Sequence, residues 1–430
     1  MEYGHRLMNS VLAFEEAQHV VKTEDSLERA LRTFLGWDPA VPLKLAGRLP
    51  TPCAGLPSVV ILQTYAPAVR KRLASEGYIH QHRFAVLPSR KNPRWLLPIT
   101  NKIGTFDGFE LYKPFSTAAR MMKAFVLLVR STGWDGWVRD EVLLASPTLL
   151  PIERLANEIT GENQFVFTLS LGTPGAFQKL TVQVMRPDGL MLGYVKMPLT
   201  TAAGDRLLNE AEFLQKLSGF PTMRSHVPRL LFGGSWNGNN ILFESPVEGA
   251  TGPACFTNLH KEFLADLHSC SPAVIPGQAV VHRAAQTWEK AAQRMGTKWQ
   301  ELGYEALRTA GQELNGTLVS CGIHHGDFAP WNLRTHRGNL FAFDWESATC
   351  GAPNMWDQFH FLVQTECLLK ATHAKPIGGD IRKQNRALYL LYLLNSAAQL
   401  QQEEAQRETI EYREKQVSRY LSGAATLSEL

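Results

Sequence analysis

The sequence predicts an α+β protein in which an antiparallel sheet precedes a mainly helical half. Two observations predict this. Between residues 162 and 248 the apolar residues come in short Val-, Leu- and Phe-rich runs parted by turn residues, as strands do. From Cys255 onward they recur at the three-and-four spacing of helices.

Residues 1–150 mix both patterns and are expected to form an additional N-terminal α/β domain. "SLERALRTFLGWDP" reads as a helix stopped at Gly36. "RFAVLPSRKNPRWLLPI" reads as two short strands about a Pro-containing turn, and "FDGFELYKP" as a third. "STAARMMKAFVLLVRSTG" has helical periodicity and ends at Gly133, and the Pro-rich "ASPTLLPIE" looks like a junction.

Residues 151–248 are expected to form the sheet. Its strands are "QFVFTLSLGT", "KLTVQVMRP" and "LMLGYVKMPL", joined by "PGAFQ" and by a tight Asp188-Gly189 hairpin. The helix "GDRLLNEAEFLQKLSGF" follows, with Leu207, Glu210, Leu214 and Leu217 on one face and Gly219 at its end. "NNILFESPVEG" is a further strand running into a Pro-containing connector. Residues 249–430 carry the helices "LHKEFLADLHS", "AAQTWEKAAQRM", "EALRTAGQELNGTLVS" and a C-terminal set after Arg382.

Composition bounds the function. The 430 residues leave room for two or three domains, and 44% hydrophobic with 20% charged residues is ordinary for a folded chain. A formal charge of +4 is too small to argue for a nucleic-acid partner. Between Thr51 and Thr100, Arg70, Lys71, Arg72, Arg83, Arg90, Lys91 and Arg94 face the single acid Glu76, which reads as a solvated basic face or the site of an anionic partner. The cysteines are scattered with no C-x-x-C pair, so neither a disulfide framework nor a zinc site is expected, and the compartment reads as reducing and cytoplasmic. Glu15 and Glu16 directly follow the first apolar stretch, unlike a signal peptide, and "ALYLLYLLNSAA" is too short to span a bilayer.

The chemistry concentrates in "CGIHHGDFAPWNLRTHRGNLFAFDWESA". A strand-rich segment followed by a helical one, with this polar cluster in the second, is the order of a protein-kinase-like bilobal fold. Phosphoryl transfer needs a cradle for the triphosphate, a cation and metal to offset its charge, and a positioned acceptor hydroxyl. Asp327 would take or orient the hydroxyl proton. Asn332, five residues on, offers a neutral oxygen to Mg²⁺, and Asp344 leaves the strand "NLFAFDW" as a second ligand. His325 is expected to brace the loop by hydrogen bonding rather than to titrate.

The nucleotide end lies upstream. Lys196 on the third strand would reach the phosphates, with Glu210 on the next helix as the acid to pair with it. The turn "SLGTPGAF" would cover the phosphates, Gly172 and Gly175 allowing close backbone approach and Ser170 and Thr173 offering hydroxyls. In "LFESPVEG", Pro246 has no N–H, so the Glu244 carbonyl and the Val247 N–H are the expected adenine contacts.

These residues resemble the aminoglycoside phosphotransferase and choline kinase family, a branch of the protein-kinase-like fold. The matching motifs are "HHGDFAPWN", "FAFDWES", "FLADLHS" and the Lys196/Glu210 pair, over roughly residues 150–430. The resemblance implies ATP and Mg²⁺ as cofactors, Asp327 as the catalytic aspartate, Asn332 and Asp344 as metal ligands and Lys196 as the phosphate-binding lysine. It also implies a supporting role for Asp357 and a small hydroxyl compound as acceptor. The first 150 residues have no counterpart in the compact members, and the connector is a residue longer than its commonest form. The insert between Gly249 and Cys321 balances its acids with bases, which disfavours a polycationic acceptor. The contrasting reading is a pseudokinase lobe serving the basic N-terminal module as a nucleotide sensor or scaffold.

Overall fold

A computed structural model describes residues 24–36, 60–62, 67–99, 121, 123–124, 140–369, 383–403 and 407–422. The expected strand at 106–114 and most of the expected helix at 116–133 lie outside these residues. The chain divides into two compact units, one of residues 1–208 and 230–246, the other of 209–229 and 247–430.

The first unit is built on a nine-stranded sheet. Its strands are β1 (Val60–Leu62), β2 (His80–Ser89), β3 (Asn92–Pro98), β4 (Glu141–Ser146), β5 (Val166–Ser170), β6 (Lys179–Met185), β7 (Met191–Pro198), β8 (Leu230–Trp236) and β9 (Asn239–Glu244). They run in the order β1-β4-β2-β3-β5-β6-β7-β9-β8, and every neighbouring pair is antiparallel. The Asp188-Gly189 turn joins β6 to β7 as expected, with Gly189 at φ +92° and the Asp188 carboxylate accepting the Leu190 N–H.

The alternation along β5–β9 decides which face is covered. Phe167, Leu169, Val182, Val184, Val195, Met197, Ile241 and Phe243 form one core with helices α1 (Glu24–Leu35) and α3 (Pro151–Thr160). Helix α2 (Pro67–Ser75) lies between β1 and β2 in sequence. Phe34 of α1 is fully buried, edge-on to Phe167 at 5.3 Å, and burying such a ring contributes about 1.5–3 kcal/mol. Helix α1 stops at Gly36, at φ +65°, as the sequence implies.

The sheet does not part where the sequence suggested a boundary. Trp95 and Leu96 of β3 pair with Ser170 and Leu169 of β5, so the strands before 150 extend the sheet that follows. The junction near 150 falls inside one unit because an open strand edge is satisfied by its neighbour's backbone. Strand β8, from "LLFGGSW", was not anticipated. Its glycines obscure the apolar alternation.

Helix α4 (Thr201–Ser218) leads into the second unit, which holds α5 (Asn258–Ser269), α6 (Gly277–Ala292), α7 (Thr297–Glu313), α8 (Trp356–Leu369), α9 (Lys383–Gln402) and α10 (Arg407–Leu421). Two three-stranded sheets accompany them. One joins β10 (Ala250–Thr251), β13 (Leu333–His336) and β14 (Asn339–Ala342); the other joins β11 (Ala273–Pro276), β12 (Leu318–His324) and β15 (Thr349–Pro353). Of the "TLVS" expected to continue a helix, Leu318, Val319 and Ser320 belong instead to β12. Gly316 at φ +68° breaks the chain direction, and the residues after it form the central strand of its sheet. An antiparallel sheet followed by helices bears out the expected α+β class. Among the described residues no helix is long and apolar enough to cross a membrane.

Candidate active site

In the second unit, β12 delivers the chain into His325-Gly326-Asp327, and a buried carboxylate holds that bend. Asp357, in the first turn of α8, accepts the N–H groups of His325 at 2.8 Å and Gly326 at 3.1 Å. His324 Nε2 lies 3.0 Å from Asp357 Oδ1. Burial opposes ionisation of Asp357, yet His324 and the His325 N–H outweigh it and hold the carboxyl far below the usual range. Gly326 sits at φ +85°, and a Cβ there would lie 2.2 Å from the Ser347 carbonyl, so only glycine fits this bend.

His325 braces the loop, as expected. Its Nδ1 accepts the Asp327 N–H at 3.2 Å, so the proton belongs on Nε2, 3.2 Å from the Phe343 carbonyl. The ring packs on Trp345 at 4.4 Å, and burial pushes its pKa down. It is therefore neutral.

Asp327 is fixed from two sides. Asn332 Nδ2 donates to Oδ2 at 2.7 Å and to the Asp327 carbonyl at 2.9 Å. His360 Nε2 lies 3.0 Å from Oδ1. Burial raises the Asp327 carboxyl and the nearby Asp344 adds to this, but the hydrogen bond with His360 outweighs them and keeps it below its ordinary value. Its side chain is still 37% exposed, so an acceptor can approach it.

The β13–β14 hairpin brings the other two expected residues together. Asn332 ends a single 3₁₀ turn (Pro330–Asn332), and its carbonyl accepts the Phe343 N–H at 3.1 Å. That bond places the exit of β14 beside Asn332, and Asp344 follows at φ +70°. Both hydrogens of the Asn332 amide are used by Asp327, which leaves its Oδ1 as a donor to a cation.

Asp344 has two acidic neighbours. Glu210, Asp344 and Glu346 each offer an oxygen within 4.8 Å of the others. Glu210 is fully buried and accepts the Trp345 N–H at 3.1 Å. Three converging carboxylates are the kind of oxygen donors that a hard divalent cation takes, so these residues fit Mg²⁺. Glu346, two residues after Asp344, was not singled out from the sequence, although the acidic spacing in "DWE" carried the signal.

His360 was also missed. It lies three residues after Asp357, on the same face of α8. Tyr392 Oη of α9 is 3.3 Å from His360 Nδ1, and Gln364 Nε2 is 3.2 Å from His360 Nε2. Burial pushes the Tyr392 phenol up, so it keeps a proton to donate to Nδ1, and Nε2–H then points to Asp327.

Ser170 and Lys196, both expected at the nucleotide, share one row of the sheet. Ser170 pairs with Thr181, and Thr181 pairs with Lys196, so Lys196 lies two strands, or about 10 Å, from the start of the glycine turn. Val195 and Met197 face the helix-covered core, which puts Lys196 on the opposite face. There Lys196 Nζ meets Glu244 Oε1 at 3.2 Å, both side chains buried. Lys196 pairs with Leu242, so Glu244 is its diagonal neighbour on the next strand. Spacing along α4 had suggested Glu210 for this partner; the carboxylate that engages Lys196 within its own unit is Glu244. Glu244 thus brings a carboxylate role beyond the carbonyl expected of it. That carbonyl and the Val247 N–H lie on either side of Pro246, where the chain passes from the first unit to the second.

The turn itself holds Gly172 at φ +64°, where a Cβ would lie 2.7 Å from the Lys179 carbonyl. Thr173 and Gly175 follow it within the turn, after Ser170 at the end of β5.

Residues 194–355 match the phosphotransferase enzyme family (APH), so the expected resemblance is borne out over the stretch from β7 to the start of α8. The reaction of that family is phosphoryl transfer. No curated protein matches the chain. Among solved structures, it is similar to a thermostable mutant of aminoglycoside phosphotransferase APH(4)-Ia in ternary complex with ADP and hygromycin B, with 14% identity, 64% of this chain and 99% of that one covered, and a TM-score of 0.46. It is also similar to the GDP complex of wild-type aminoglycoside 2'-phosphotransferase-IIIa, with 14% identity, 59% and 92% covered, and a TM-score of 0.39.

Proposed function

We propose that the protein is an ATP- and Mg²⁺-dependent phosphotransferase that moves the γ-phosphoryl group to a hydroxyl of a small molecule. The observation that carries this reading is Asp327, ionised and fixed by Asn332 and His360, beside the carboxylate group of Glu210, Asp344 and Glu346. In the first unit, Lys196 offers its charge to the phosphates while Glu244 holds it, and the turn from Ser170 through Gly172, Thr173 and Gly175 offers backbone and hydroxyl donors. The Glu244 carbonyl and Val247 N–H are assigned to adenine.

In the second unit, Asp327 accepts a hydrogen bond from the acceptor hydroxyl, orients its oxygen for in-line attack and receives its proton. A carboxylate below its usual pKa is a weak base, so orientation is its larger contribution in a loose, dissociative transition state. Asp344 and Asn332, with Glu346 and Glu210 close by, would hold the metal, which when bound offsets phosphate charge. The balanced charge of residues 249–321 favours a neutral or anionic acceptor, such as a sugar, over a polycationic aminoglycoside. Amino sugars and choline-like alcohols complete the range.

The test is transfer of labelled γ-phosphate from ATP to a panel of sugars, amino sugars, choline and polyols. At least one acceptor is expected to be labelled by the wild type and not by Asp327→Asn. Nucleotide binding without labelling of any acceptor would instead favour the sensor reading.

A further inference from the structure

We propose that Arg94, on the N-terminal strand β3 and outside the matched family region, is a positioning residue for the phosphate turn. The inference rests on the phosphotransferase reading. β3 lies beside β5, the strand from which the turn departs. The Arg94 carbonyl accepts the Leu171 N–H at 2.9 Å, and Arg94 Nη1 donates to the Gly172 carbonyl at 3.1 Å.

That second bond decides which way a peptide faces. In a trans peptide the C=O and the following N–H point in opposite directions. Holding the Gly172 carbonyl toward β3 therefore directs the Thr173 N–H away from it. Gly172 at φ +64° has no Cβ to resist rotation of that peptide, so the tether must come from elsewhere.

The rest of the turn follows the same rule. Gln178 Nε2 donates to the Leu171 carbonyl at 2.9 Å, the Gln178 N–H to Gly175 at 3.2 Å and Thr200 Oγ1 to Ala176 at 2.6 Å. The Arg206 guanidinium lies 3.4 Å above the centre of the Phe177 ring. By contrast, the N–H groups of Thr173, Gly175 and Ala176 make no hydrogen bond among the described residues. Carbonyls tied inward and N–H groups left over make a turn suited to an anion. Arg94 is the tie for the one peptide that glycine leaves free. Without it the Gly172 carbonyl can swing toward phosphate oxygens and repel them.

The test is calorimetric binding of AMP-PNP and of adenosine to the full chain, with Mg²⁺, for wild type, Arg94→Ala and Arg94→Lys. A hydrogen bond from a charged donor is worth roughly 10- to 100-fold in affinity. Arg94→Ala is expected to weaken AMP-PNP by that factor and leave adenosine unchanged, while Arg94→Lys, which keeps a long donor, restores most of the loss. Equal weakening of both ligands would mark a merely structural role and overturn the inference, as would unchanged AMP-PNP binding. Should Arg94→Ala fail to fold, Arg94→Leu carries the same expectations. A wild type that binds neither ligand defeats the phosphotransferase reading as well; a wild type that binds AMP-PNP no better than Arg94→Ala defeats this inference alone.

Discussion

The glycine turn of the first unit and the His325–Asp327 loop of the second are held in opposite ways. The turn has its carbonyls tied, by Arg94, Gln178 and Thr200, and keeps N–H groups to offer. The loop has N–H groups tied, those of His325 and Gly326 by Asp357, and presents the carboxylates of Asp327 and Asp344. The difference teaches that backbone polarity is spent where it would conflict with the ligand: donors remain where phosphate is expected, acceptors where a cation and a proton are.

The sharpest way to probe the loop is Asp327→Asn. It keeps the shape and removes the charge and the proton acceptor, so turnover should fall by roughly two to four orders of magnitude with the folded spectrum unchanged. Labelled-phosphate transfer under saturating ATP checks this, and a variant within tenfold of wild type would break the assignment.

Asp357→Ala should act on stability instead. It strands two N–H groups and leaves His324 and His325 without their carboxylate, a loss of about 3–5 kcal/mol read from denaturant unfolding. The same carboxylate predicts a pH dependence. Its folded pKa lies below the unfolded value of about 4, so its contribution is complete above that value and declines as pH falls below it. Urea midpoints between pH 6 and 3 should drop less steeply for Asp357→Asn than for wild type.

His360→Gln removes the partner that lowers the Asp327 carboxyl. The acid limb of kcat should move to higher pH, with a loss of about tenfold near neutrality. An unmoved limb would reduce His360 to packing. The smallest effect belongs to Glu346→Gln, which keeps an oxygen donor; the Mg²⁺ concentration for half-maximal activity should rise several-fold while the ATP-saturated rate changes little.

The parts legible in advance were local. His325, Asp327 and Asn332 sit within one loop, and Asp344 follows a short hairpin, so spacing alone placed them together. Asp357 was recognised through its motif. The pairing of Lys196 with Glu244 was not legible, because it depends on the strand register between β7 and β9 rather than on spacing along the chain. His360 carried no motif, and its meaning depends on Tyr392, 32 residues away on another helix. Nor did anything near Arg94 announce that β3 would lie against β5.

By itself the sequence determined most of the strands and helices, though not β8 or the start of β12, the turns that glycine permits, and the loop whose side chains lie within a few residues of one another. Those follow from local sterics and periodicity, which act over short stretches of chain. Only the tertiary structure decided that strands β1 to β4 extend the sheet, that Glu244 holds Lys196, and that His360 and Glu346 stand beside Asp327 and Asp344. Each of those depends on which strand edge or helix face finds its partner, and pairing across tens of residues is settled by burial and backbone hydrogen bonding, not by spacing.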